Sequence, residues 1–157
     1  FRGNKCSSFE GGTAVPVIVS WKNKVAKNQE SDVLLSQVDW LASFAHLVGA
    51  RLPKGSAFDS ENHLSNLLAE KTNPREWVLE QSNTRVLSVR TQKWKYIEPS
   101  DGPKMIQWGP KIETGNNAQP QLFDMQASKF EEKNVAKDHP QVVYDMQNIL
   151  RRERSKK

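Results

Sequence analysis

One cysteine, Cys6, in a chain of 157 residues leaves no room for an internal disulfide or a cysteine-rich metal site. Histidine is equally scarce. His46, His63 and His139 are the only three, no pair has metal-ligand spacing, and all three read as structural. Long apolar runs are missing as well: none approaches the roughly 18 residues that span a bilayer. No basic stretch leads into an apolar run as a secretory leader would. Because the chain opens on Phe1 in the middle of a motif, that lack says nothing about location. Dense charge is confined to the tail. The formal net charge is +5, yet the only basic cluster is Arg151-Arg152-Glu153-Arg154-Ser155-Lys156-Lys157, where a helix end favours cations anyway. Nucleic-acid binding is therefore not expected. Internal repeats and low-complexity segments are also absent.

What is present is core material. Five Trp and six Phe argue against global disorder, and the length suits one domain or pieces of two. Val15 to Trp21 is a continuous apolar run, the pattern of a strand buried on both faces. A turn at Trp21–Val25 and a polar loop over Ala26–Asp32 follow. Between Ser36 and Gly49 the apolar residues Leu41, Phe44, Ala45 and Val48 share a helical face, with Asp39 as start signal and Gly49 as left-handed stop. A shorter helix is expected from Asp59 to about Lys71 with Leu64, Leu67 and Leu68 inward, and Thr72-Asn73-Pro74 breaks it. Beyond Pro74 the period changes. Trp77–Gln81, Arg85–Arg90 and Lys93–Glu98 read as an antiparallel meander, with Gln121–Met125 as its return strand. The intervening Pro99–Pro120 loop is long for a compact domain. Finally, Asp138-His139-Pro140-Gln141 opens a helix with a capping-box pattern and an early proline, whose inner face is Val142, Val143, Met146, Ile149 and Leu150.

The most informative stretch is the first: Arg2-Gly3-Asn4-Lys5-Cys6-Ser7-Ser8-Phe9-Glu10-Gly11-Gly12-Thr13-Ala14-Val15-Pro16. A flexible loop presents Lys5, Glu10-Gly11-Gly12 makes a tight turn, and glycines allow the close backbone approach that a loop around an anion needs. These residues resemble the late active-site loop of the sulfatase family, roughly Gly-Gly-Lys-Gly-Ser-x-x-Glu-Gly-Gly-x-Arg-Val-Pro. Three further stretches resemble the family in the same order. Ser36–Gly49 is similar to its Ser-x-x-Asp-Leu-x-Pro-Thr-x-x-x-Leu-x-Gly, with Ala42 and Ser43 in place of Pro-Thr. Val89–Ile97 looks like its Arg-x-Gly-x-Trp-Lys-Tyr-Ile hairpin, with Gln92 for Gly. Leu122 to Lys137 resembles its Leu-Tyr-Asp-Leu-x-x-Asp-Pro-x-Glu-x-x-Asn-Leu-Ala.

The resemblance implies an α+β chain. It would hold the last strand and helices of a large α/β sulfatase domain (residues 1–74), then a small antiparallel sheet packed against a C-terminal helix (residues 75–157). It implies the last portion of a larger enzyme that hydrolyses aryl sulfates or sulfated glycans with formylglycine and calcium. Lys5 matches the family lysine that contacts the sulfate and the leaving oxygen. The formylglycine motif Cys/Ser-x-Pro-x-Arg occurs nowhere in the chain, so Cys6 is not the nucleophile precursor; the family commonly has Gly there. Calcium ligands lie mostly upstream in the family, so none is expected here, and Asp39 and Asp59 read as helix caps. The fragment alone is therefore expected to be inactive. Glu10 reads as organiser of the loop through backbone N–H bonds rather than as an acid or ligand, and Ala14 stands where the family often has Arg. Trp108, flanked by Gln107 and Gly109, is a candidate for stacking on a sugar or aryl group, the alternative being a plug in an apolar gap. By resemblance the location is periplasmic, secreted or lysosomal, with no membrane contact. Without further neighbours for Val15–Trp21, self-association through Phe1–Lys71 is expected. Two other readings stay open: a phosphonate or phosphate ester hydrolase of the same superfamily, and a free-standing polyanion-binding module using Lys5, Lys22, Lys24 and the tail.

Overall fold

The structure, a computed structural model, describes residues 1–70 and 73–156. Lys71, where the second helix is expected to end, and Thr72 of the expected breaker lie outside the described residues, as does Lys157. The described chain divides into two compact units: Phe1–Val15 with Leu79–Lys157, and Pro16–Val78.

The first unit is built on a four-stranded sheet in the order β1-β2-β3-β4. Its strands are β1 (Val78–Gln81), β2 (Leu87–Arg90), β3 (Trp94–Ile97) and β4 (Gln121–Asp124). Antiparallel pairing aligns Val89 with Tyr96 and Arg90 with Lys95, then Lys95 with Phe123 and Tyr96 with Leu122. The expected meander and return strand are thus formed. Strand side chains alternate between faces and cross-strand partners share one. Val89, Tyr96 and Leu122 therefore lie on one face, and Arg90, Lys95 and Phe123 on the other.

Helix α4 (Pro140–Ser155) packs against β2, burying Met146 and Leu150. Its Gln147 amide donates to the Tyr96 hydroxyl at 3.3 Å. Pro140 occupies the first turn as expected, but no side chain caps the start, so the capping-box pattern is not used. A missing N–H at the first helical position already removes one of the donors a cap would satisfy. The opposite sheet face carries a core cluster of Phe9, Val86, Ile97, Phe123 and Met125. There Phe9 meets Phe123 edge-on, with ring centroids 5.9 Å apart. The opening segment thus covers the face that α4 leaves free. Beyond the sheet edge, Leu122 N–H donates to Asn134 Oδ1 and its carbonyl accepts from Val135 N–H, which blunts β4 as a pairing edge.

The second unit holds two helices, α2 (Asp39–Leu47) and α3 (Leu64–Leu67). Val15–Trp21 forms no strand, and Ile18 is 94% exposed. An apolar run of this kind needs a strand on each side, and the described residues provide none. For the same reason the apolar face of α2 is not inward: Leu41, Phe44 and Val48 are exposed, while Asp39 and Ser43 are buried. The expected Asp59-to-Lys71 helix is shorter than anticipated. Within α3 only Leu67 is fully buried.

Polar contacts hold this unit together. The Asp39 carboxylate accepts from Arg75 Nε and Nη2, both at 2.8 Å, and from the N–H groups of Ser36 and Glu61. Burial opposes ionisation of Asp39. The hydrogen bonds from Arg75, Glu61 and Ser36, with the charge of Arg75, outweigh that and hold its carboxyl below the ordinary range. Asp39 is a cross-link rather than the helix cap expected, because the side chain points back to the preceding turn and across to Arg75. His63, also buried, lies with Nδ1 3.0 Å from the Asn73 carbonyl and Nε2 3.2 Å from Glu61.

Candidate functional site

The opening segment is fastened to its own unit along its length. Arg2 makes a bidentate pair with Glu113 at 2.7 and 2.8 Å, donates to the Glu131 carbonyl at 2.9 Å, and lies 4.1 Å over the Phe9 ring. The hydrogen bond to Glu113, with that carboxylate's charge, raises the Arg2 pKa further despite partial burial. Ser8 N–H donates to the Thr114 carbonyl at 2.8 Å. Between these anchors the chain makes a turn at Asn4–Ser7, with Ser7 N–H on the Asn4 carbonyl at 2.9 Å and Lys5 N–H on Asn4 Oδ1 at 2.7 Å.

Lys5 sits exposed on that turn. Among the described residues no carboxylate lies within ion-pair reach of its ammonium. Cys6 follows with a φ of 83°, in the left-handed region that glycine occupies freely and other residues at a cost of roughly 1–2 kcal/mol. Its side chain is half-buried and free.

Where a tight turn is expected at Glu10-Gly11-Gly12, the chain makes one helical turn, α1 (Glu10–Thr13). The glycines are required by close backbone approach. A Cβ on Gly11 would stand 2.6 Å from the Arg2 carbonyl oxygen, and one on Gly12 only 2.3 Å from that of Ser7. Gly11 N–H donates to that same Arg2 carbonyl at 2.8 Å. The loop therefore doubles back on itself, and the Gly pair is what lets it.

Beneath α1 lies a buried ionic cluster. Glu10 Oε1 is 3.1 Å from Lys95 Nζ and 3.3 Å from Arg90 Nε. Lys95 Nζ is also 2.9 Å from Glu80 Oε2 and donates to Thr13 Oγ1 at 2.8 Å. Ser88 Oγ donates to Glu80, and Glu131 Oε2 accepts from Glu10 N–H at 2.8 Å. Burial pushes the Glu131 carboxyl up to about 7; the charge of Lys95 and the Glu10 N–H bond act the other way, while Glu10 and Glu80 add to the rise. Among the described residues its other oxygen has no hydrogen-bond partner. Glu10 organises the loop as expected, but through side-chain ion pairs rather than local N–H bonds.

The Pro99–Pro120 loop is a two-limbed finger. Met105 and Glu113 form an antiparallel bridge, and Ile106 N–H donates to the Ile112 carbonyl. Its base is buried through Thr114 and Asn116, which both bond the Pro103 carbonyl. Trp108 lies near the far end, 65% exposed, with Gly109 at a φ of 67°. The finger and the Lys5 turn share anchors, since Arg2 holds Glu113 and Ser8 holds Thr114. Lys5 and Trp108 thus stand on segments rooted together, both side chains open to solvent. His46 is exposed, and His139 tilts against Trp94 with ring centroids 4.9 Å apart.

Sequence reasoning missed Lys95, Arg2 and Glu131 as partners of the loop. Their contacts join residues 85, 111 and 121 positions apart, so no local pattern marks them. The available signals are Lys95, at the lysine of the Trp-Lys-Tyr-Ile match, and Glu131, at the glutamate of the Asp-Pro-x-Glu match; neither tells which residue it touches. Among the described residues no group of His, Cys, Asp and Glu is arranged to hold a metal ion. The carboxylates Glu10, Glu80 and Glu131 gather around the Lys95 ammonium instead. The calcium implied by the resemblance has no fitting donor set among the described residues. No helix of the described residues is long and apolar enough to cross a membrane.

No family model matches the chain. An N-acetylgalactosamine-6-O-sulfatase of Bacteroides thetaiotaomicron is 43% identical over 150 residues, covering 96% of this chain and 29% of that protein. Arylsulfatase K of Gallus gallus is 32% identical over 159 residues, covering 94% of this chain and 27% of that protein. A solved structure from the Bacteroides thetaiotaomicron core genetic locus for metabolism of multiple glycosaminoglycans superposes with a TM-score of 0.94 at 41% identity. It is matched over 99% of this chain and 32% of that one. The chain thus spans under a third of the length of the relatives it matches, and over that span it belongs to the sulfatase family.

Proposed function

We propose that the chain is the C-terminal portion of a sulfatase that hydrolyses sulfate esters, with Lys5 as the residue that contacts the sulfate group and the leaving oxygen. The observation that carries this is an exposed ammonium, unpaired among the described residues, on a turn whose two flanks are tied down by Arg2 and Glu10. A compact cation on a flexible stem follows an anion whose shape changes during reaction, and a positioned charge acts most strongly where charge develops. The formylglycine nucleophile and calcium belong to the family mechanism, and no step is assigned to them on this chain. In this reading both lie in the remainder of the enzyme, and the fragment by itself turns nothing over. Residues 1–74 would complete the α/β catalytic domain, with Val15–Trp21 as a strand of its sheet, and residues 75–157 would form the C-terminal subdomain.

The name of the Bacteroides relative favours a sulfated amino sugar, free or within a glycan, as substrate over a simple aryl sulfate. Trp108 would then stack on a sugar ring beside the sulfate site, a contact its exposure permits. Location in the periplasm, lysosome or secreted fraction fits such substrates.

In the full-length enzyme, Lys5→Ala should lower kcat/KM for a sulfated hexosamine by about 100-fold or more, as loss of a transition-state charge contact does. Trp108→Ala should mainly raise KM for the sugar substrate and leave an aryl sulfate unaffected. Wild-type turnover by Lys5→Ala would end the assignment of that lysine.

A further inference from the structure

The Lys95 ammonium is completely buried. Its three hydrogens face Glu10 Oε1 at 3.1 Å, Thr13 Oγ1 at 2.8 Å and Glu80 Oε2 at 2.9 Å. Two of those partners belong to α1, a single helical turn with no side-chain cap. One isolated turn is unstable by itself, because nucleation fixes several residues for one hydrogen bond. Tertiary contacts must hold it, and Lys95 provides two of them. The turn at Asn4–Ser7 lies between the Arg2 and Ser8 anchors and packs directly on α1, where a Cβ on Gly12 would stand 2.3 Å from the Ser7 carbonyl oxygen and 2.7 Å from that of Asn4; among the described residues the Lys5 side chain has no anchor of its own. Where α1 sits therefore sets where Lys5 sits.

Stability does not account for a lysine in this place. Desolvating an ammonium and two carboxylates consumes much of their mutual attraction, and apolar replacements of buried ion pairs are often neutral or stabilising. We propose that Lys95 is a positioning residue for the sulfate contact: from the inner strand β3 it clamps Glu10 and Thr13 of α1, and so fixes the Lys5 turn against the substrate. This inference rests on the assignment of Lys5 given above.

The test uses the full-length enzyme with two changes made together, Lys95→Met and Glu80→Gln, which remove the clamp and leave Glu10 paired with Arg90. Melting temperature, kcat and KM are measured in the wild-type and Lys5→Ala backgrounds. A misplaced contact of about 1 Å is expected to cost on the order of 10- to 100-fold in kcat. The expected result is such a loss with melting temperature held or raised, and with less than about a twofold further loss in the Lys5→Ala background. Should the double variant not fold, Thr13→Val removes one clamp bond without touching a charge; it should lower kcat severalfold, again only where Lys5 is present. Normal kcat in the variant that folds, or an equal loss in both backgrounds, overturns the proposal. Failure of the Lys5 assignment looks different: Lys5→Ala alone would then keep full activity, and the clamp would have no sulfate contact to position.

Discussion

Glu131 is the residue whose chemistry is most altered by the fold. Burial raises its carboxyl to about 7, with Lys95, Glu10 and Glu80 as the charged groups around it. Between its unfolded value near 4.5 and this raised one, the folded state keeps a proton that the unfolded chain has released. Its contribution to stability is therefore full below about 4.5 and is lost as pH rises through about 7. At about 1.4 kcal/mol per pH unit, the loss is on the order of 3 kcal/mol. Asp39 and Glu113 do not confuse the measurement. Both are held below their ordinary values, so what they contribute is present above those values and is lost only as pH falls through the lowered ones. Melting temperature should fall from pH 5 to pH 8, and Glu131→Gln should flatten that slope. An unchanged slope in the variant would show that the proton resides elsewhere. The burial of Glu131 was not legible in the sequence, where the residue stands only as the glutamate of the Asp-Pro-x-Glu resemblance. Lys5, by contrast, is proposed from its neighbours in the chain alone, since an exposed loop lysine needs only its own turn.

At the scale of elements, the short strands and α4 were legible because alternation and helical spacing are local properties. The residues that tie elements together were not. Lys95 reads as a surface lysine until β3 is known to be covered on both faces, by α4 on one and by Phe9 and Glu10 on the other. The Gly pair falls between these cases. Its need for small residues was plain, but the element it forms is a helical turn packed against Arg2 and Ser7, not a bare tight turn. Gly12→Ala should show this. Its new Cβ would stand 2.3 Å from the Ser7 oxygen and 2.7 Å from that of Asn4, both backbone atoms that cannot swing aside. We expect destabilisation of about 1–3 kcal/mol, the range for an overpacked site, measured by denaturant unfolding. An alanine variant as stable as the parent would mean that the segment is not folded back in this way.

For the molecule as a whole, the apolar surface of the Pro16–Val78 unit is the feature that matters most. Val17, Ile18 and Trp21 are exposed, as are Leu41, Phe44 and Val48 of α2 and Phe58. Side chains of this size left open favour association. The chain on its own should self-associate through this unit as concentration rises; a monomer throughout by light scattering would refute that. In the full sulfatase the same side chains would be covered by the remaining domain, and the association should disappear.

The amino-acid order by itself determined the sulfatase kinship, the meander, the α4 helix and the lysine offered on the opening turn. Each depends on residues close together in the chain or on motif order. Only the tertiary structure decided that Arg2, Lys95 and Glu131 hold the opening segment, and that the apolar faces of Val15–Trp21 and α2 are uncovered. Those outcomes depend on which surfaces meet across 85 or more positions, and on which partners are present to bury an apolar face.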